Sequence, residues 1–240
     1  MSEIELAYEA DGLAMRGALF LPSATGPRPG ILVFPEVFGL NDHAIARAER
    51  LAGMGYAALA CDIHGNRLVI EDMEQVRKLA GPMREDPLRV RARGEAALKA
   101  LVARPEVDGE KLAAIGFCFG GTMALELARG GARLAATVGF HSGLGTKCPQ
   151  DATNIEGRVL VCIGADDPGI PPDQRAAFET EMRDGSVAWE MHLYGGTVHS
   201  FTNPEADRMG RPEMARYDAR ADRLSWASMT ELFCEVFDEN

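Results

Sequence analysis

Apolar residues in this chain fall into short unbroken runs separated by longer stretches with helical spacing. Ile31-Leu32-Val33-Phe34, Tyr56–Ala60, Leu112–Phe117, Leu134–Phe140 and Val159–Ile163 are such runs, and Val187–Leu193 adds a further strand candidate. Runs this short, bounded by Gly, Pro or Asp, fit strands buried on both faces, as in a parallel sheet. Helices are predicted between them. Asn41-Asp42 caps one over Ala44–Ala52, and Gly53 and Gly55 close it. Others are predicted over Glu71–Leu79, ending at Gly81-Pro82, from Pro87 to a point before Pro105, and over Thr122–Ala128, Asp173–Arg183 and Pro212–Phe237. The start of the chain differs. Ile4–Tyr8 and Leu13–Leu21 flank Ala10-Asp11-Gly12 and predict an N-terminal hairpin, followed by a Pro/Gly-rich loop over Pro22–Gly30. Repeated β/α alternation predicts an α/β protein with a mainly parallel central sheet and helices on both faces. With no internal repeat and no linker, residues 1–240 read as a single domain.

Composition narrows the partners. The chain is 46% hydrophobic and 25% charged, which is ordinary for a globular protein, and its formal charge of -11 argues against nucleic acid. The N-terminus has acids at Glu3 and Glu5 and no basic start before an apolar run, so no secretory signal is expected. No apolar stretch is long enough to predict a membrane span. The five cysteines are scattered, without CxxC spacing, so neither a disulfide framework nor a metal site is predicted, and a reducing, cytoplasmic location fits. The expected partner is a small molecule acting on a monomer or homodimer, with no cofactor.

The most informative local sequence is Gly116-Phe117-Cys118-Phe119-Gly120-Gly121-Thr122, directly after an apolar strand and before a helix-competent run. A nucleophile elbow has this form. The nucleophile sits in a strained strand-to-helix turn, and small residues two before and two after it avoid collision with the neighbouring backbone. Free N–H groups at the helix start favour a thiolate and a developing anion. The competing interpretation is a buried structural cysteine in a glycine-rich turn. No serine stands in a G-x-S-x-G context to compete.

An elbow enzyme also needs an acid and then a histidine, in that chain order. Val159–Gly164 runs into Ala165-Asp166-Asp167-Pro168, and Trp189–Leu193 runs into Tyr194-Gly195-Gly196-Thr197-Val198-His199. Loops after parallel strands open onto one face of the sheet, so Cys118, Asp166 or Asp167, and His199 can converge. Among the other histidines, His192 is expected within a strand and His43 at the surface. His64 and His141 follow strands and can line a pocket.

Phe34-Pro35-Glu36-Val37-Phe38-Gly39, Gly116-Phe117-Cys118-Phe119-Gly120-Gly121, Gly164-Ala165-Asp166-Asp167 through Pro171, and Gly196-Thr197-Val198-His199-Ser200-Phe201 together resemble the dienelactone hydrolase family, in its order and across nearly the whole chain. The resemblance implies the α/β-hydrolase fold and a carboxylesterase activity on a small ester or lactone through a thioester. It implies Asp167 as the acid of a Cys118–His199–Asp167 catalytic triad. It implies backbone N–H groups of Phe119 and Val37 as the oxyanion hole, and Glu36 as a group that contacts the resting thiol. Phe38 is expected at the substrate. The family's carboxylate-binding arginines are not matched. Asn203 stands at one of their places, and Arg67 is the candidate for the other. Two further classes stay open: a hydrolase-fold binding or regulatory protein without turnover, and a thiol redox protein using Cys118.

Overall fold

The computed structural model describes residues 2–238. Eight strands form one sheet: β1 (Ile4–Ala10), β2 (Leu13–Phe20), β3 (Arg28–Phe34), β4 (Ala57–Ala60), β5 (Val107–Phe117), β6 (Ala136–Phe140), β7 (Arg158–Gly164) and β8 (Trp189–Tyr194). Their order is β1-β2-β4-β3-β5-β6-β7-β8, with the β1–β2 hairpin antiparallel at one edge and β3 to β8 all parallel. Six helices cover it: α1 (Asp42–Gly53), α2 (Met73–Glu85), α3 (Pro87–Val102), α4 (Phe119–Arg129), α5 (Pro172–Asp184) and α6 (Ala219–Asp238).

The unbroken apolar runs have a direct cause. Successive strand residues face opposite sides of a sheet. Ile31 and Val33 of β3 therefore join a core with Leu51 of α1 and Phe233 of α6, while Leu32 and Phe34 join a second core with Met83 of α2, Leu101 of α3 and Met123 of α4. A third cluster packs Phe178 and Met182 of α5 on Val159, Val161 and Ile163 of β7.

Several boundaries differ from those predicted. Gly81-Pro82 does not end α2, which continues to Glu85 with Val76, Ala80 and Met83 buried along one face. Proline removes one N–H and crowds the preceding turn, but here burial of that face outweighs the local cost. Asp86 then ends α2 and caps α3, accepting from the N–H groups of Leu88 and Arg89. β5 begins at Val107 rather than Leu112, because Val107 and Asp108 already pair with Arg28 and Pro29 of β3. α6 starts at Ala219 rather than Pro212.

Candidate active site

Several parallel strands deliver a polar residue at or just beyond their carboxyl ends, and these residues gather above the middle of the sheet. β5 leads into Cys118, whose φ of 53° and ψ of -120° mark the strained turn expected of an elbow. The glycine requirement is steric. A Cβ on Gly116 would lie 2.1 Å from the Gly120 carbonyl oxygen, and one on Gly120 would lie 2.3 Å from that of Pro35. Cys118 is half-buried and stands at the N-cap position of α4 without a capping side-chain bond. The first turn of α4, beginning at Phe119, therefore follows directly on the thiol residue, and the Gly121 N–H donates to the Cys118 carbonyl at 3.1 Å.

The loops after β7 and β8 bring in the acid and the base. His199 Nδ1 lies 2.6 Å from Asp167 Oδ2, and Asp167 Oδ1 accepts from the Gly169 N–H at 2.8 Å. Asp167 is buried, whereas Asp166 is exposed. Burial opposes charge on the His199 ring, but the Cys118 sulfur on one side and Asp167 on the other outweigh it and hold its pKa well above the usual histidine value. The acid is thus hydrogen-bonded to the imidazole, and the Cys118 sulfur is close enough to the ring to act on its charge.

The loop after β3 closes the other side. Val37 is buried, and its carbonyl accepts from His64 Nε2 at 2.8 Å. Ile70 N–H donates to the Phe38 carbonyl, so this loop is braced on two sides. Asp62, after β4, is the organiser beneath it: its carboxylate accepts from the N–H groups of Arg16, His64, Gly65 and Arg67. Phe38 is half-buried and, like Cys118, packs on the apolar cluster that includes Phe119.

Four expectations need correction. Glu36 is buried, but its oxygens accept from Ser200 Oγ at 2.7 Å and Asn203 Nδ2 at 2.6 Å instead of meeting the thiol. Asn203 is engaged on both sides, since its Oδ1 accepts from the Glu205 N–H, so it holds Glu36 and is not offered to a substrate. The Arg67 guanidinium pairs with Glu3 beside the edge strand β1, away from the Cys118–His199 row. His43 is also not at the surface. It lies half-buried with its ring edge on Phe117 and Nε2 near the Thr202 carbonyl. His141 is wholly buried behind Cys118, and His192 lies on β8 between Ser228 and Glu190.

Beside the elbow lies a cleft of about 260 Å³. Its apolar walls include Met83, Val90 and Phe119, and the Arg84 guanidinium lies over the Phe119 ring, 5.5 Å from its centre. Among the described residues no cluster of His, Cys, Asp or Glu is arranged to hold a metal ion, and no helix is long and apolar enough to cross a membrane. Sequence reasoning passed over Ser200, Thr202, Asp62 and Arg84. Ser200 and Thr202 flank a motif residue, but nothing in their type announces what they touch.

A mainly parallel sheet with helices on both faces, an elbow after its central strand β5, and an acid and a histidine after β7 and β8 define an α/β-hydrolase. The chain belongs to the dienelactone hydrolase family, whose model matches residues 15–237, and it is a hydrolase. It is 27% identical to a Synechocystis protein named "Putative carboxymethylenebutenolidase", covering 92% of each chain. It is 29% identical to a Bradyrhizobium protein named "Probable 2-oxo-3-(5-oxofuran-2-ylidene)propanoate lactonase", over 75% of this chain and 76% of that one. A solved structure of a dienelactone hydrolase-like promiscuous phosphotriesterase from metagenomic libraries superposes with a TM-score of 0.94 at 46% identity, covering 98% of each chain.

Proposed function

We propose that this hydrolase cleaves a small ester or lactone through a thioester on Cys118. The observation that carries this is the row of Asp167, His199 and Cys118 at the start of α4, with His199 held toward its protonated form. The Cys118 thiolate adds to the ester carbonyl carbon, and the carbonyl electron pair moves to oxygen. The N–H groups of Phe119 and Val37 are the donors for that oxyanion. As it collapses, the C–O bond breaks and protonated His199 gives its proton to the departing alkoxide. A water molecule then loses a proton to neutral His199 and attacks the thioester, and the acid leaves as the thiolate reforms. Asp167 keeps the ring in the required tautomer throughout.

Glu36 acts indirectly in this scheme. Held by Ser200 and Asn203, its carboxylate fixes the loop that presents the Val37 N–H. The cleft walled by Met83 and Phe119, next in the chain to the thiol residue, gives room for the body of the substrate, with Arg84 among its lining residues. The names of the relatives favour lactones. The 46% identical protein is described as a promiscuous phosphotriesterase, which adds phosphotriesters to the compounds worth assaying.

The test is rapid mixing with p-nitrophenyl acetate. The parent should release a burst of nitrophenol equal to its active sites and carry an acetyl group on Cys118 by mass spectrometry. Cys118→Ser should show neither. Equal turnover by parent and Cys118→Ser would remove the thiol from the mechanism.

A further inference from the structure

Two corners with left-handed φ stand side by side at the ends of β5 and β6: Cys118 at 53° and His141 at 42°. Neither residue has the freedom of glycine, so surrounding contacts must hold both. The Cys118 N–H is shared between the Phe140 carbonyl at 3.0 Å and Nδ1 of His141 at 3.2 Å. An imidazole that accepts at Nδ1 carries its proton on Nε2 when neutral. That Nε2 faces Thr202 Oγ1 at 2.9 Å and donates to it.

Thr202 follows His199 on the same loop and is itself fixed. Arg47 of α1 donates to its carbonyl at 2.6 Å and is anchored in turn by Asp222 of α6 at 2.9 Å. The His141 ring also meets the His199 ring edge-on, with centres 5.1 Å apart, and Phe201 at 5.2 Å. One ring therefore spans from the backbone of the thiol residue to the loop that carries the base.

We propose that His141 is a positioning residue for the thiol–imidazole pair: its neutral ring ties the Cys118 amide to the His199 loop and so sets the sulfur-to-ring geometry for acylation. The proposal rests on Cys118 being the nucleophile. The ring's surroundings keep it neutral. Burial acts first, and His199, His43 and Arg47, which face it from the neighbouring loop and from α1, act in the same direction. Protonation would remove the acceptor at Nδ1 and leave the Cys118 amide held by the Phe140 carbonyl alone.

The test combines stopped-flow acylation by p-nitrophenyl acetate with the pH profile of Cys118 alkylation by iodoacetamide. Small displacements of reacting groups are costly, so folded His141→Leu should acylate roughly 100-fold more slowly at a little-changed half-saturating ester concentration. Its alkylation profile should shift as the ion pair loosens. His141→Asn should recover most of the loss, because Asn tolerates left-handed φ and its Oδ1 replaces Nδ1. Thr202→Val should fall between the two. Parent-like acylation in folded His141→Leu would overturn the proposal. So would variants that lose only thermal stability, with kinetics and alkylation profile unmoved. If His141→Leu does not fold, a parent-like Thr202→Val serves as the overturning result. The alkylation profile reads the tie without any ester turnover, so this proposal and the nucleophile assignment fail separately.

Discussion

Asp166 and Asp167 have the same chemistry and adjacent places in the chain, yet the fold gives them opposite surroundings. Asp167 is buried against His199 and takes the Gly169 N–H, while Asp166 points into solvent. Asp167→Asn should lower kcat/KM on the order of 10²–10⁴-fold, the range lost when a positioned acid–base pair is broken, and Asp166→Asn should leave it unchanged. Steady-state assays of the two variants check this. The sequence showed that an acid follows β7, but the pattern of a strand and its loop does not fix which of two consecutive residues turns inward. Family resemblance named Asp167. It misled at Glu36, because the contact it implied depends on what faces the carboxylate, and here Ser200 and Asn203 do. Arg67 failed for a related reason: residue type suggested an anion pocket, while the actual anion is Glu3.

At the scale of elements, α4 carries the elbow and has to be held in place. Arg129 near its end is wholly buried, bonded to Glu181 of α5 at 2.7 Å and to Glu126 at 3.0 Å, and Glu126 in turn meets Arg91 of α3. Removing one member leaves buried charge without a partner. Arg129→Met should therefore cost roughly 3–5 kcal/mol of stability, read from urea unfolding, although it lies at the end of α4 away from the thiol. The strands were legible because both faces of this sheet are covered, which makes them unbroken apolar runs. Their neighbours were less so. The extension of α2 through Pro82 depends on Met83 finding a core beyond the proline, and that core comes from the distant strands β3 and β5.

For the whole molecule, the histidines set opposing slopes of stability with pH. Burial is the leading cause that lowers the pKa of His43, His64 and His141, so the folded protein keeps these rings neutral. In the unfolded chain each titrates near about pH 6.5, so on acidification the unfolded state gains protons that the folded state refuses. Each ring then removes up to about 1.4 kcal/mol of stability per pH unit below that point. His199 has the opposite sign. Its raised pKa contributes stability that is complete below about pH 6.5 and fades as pH rises through the folded value. Urea midpoints should therefore fall as pH drops from about 6.5 toward about 5, and a flat profile over that range would contradict this assignment of protons. Parallel topology and the gathering of loops at one end of the sheet could be read from β/α alternation. The sheet order could not, since β3 and β4 exchange neighbours through contacts no local pattern records.

The strained turn at Cys118 has a consequence for how variants of this protein are judged. A side chain at φ 53° and ψ -120° costs on the order of 1–3 kcal/mol that glycine would not incur. The backbone that the elbow requires is thus one the thiol residue would not choose. Selection for heat resistance alone would drift toward glycine at this corner and, on the proposed mechanism, remove the nucleophile. Stability and activity pull this position in opposite directions.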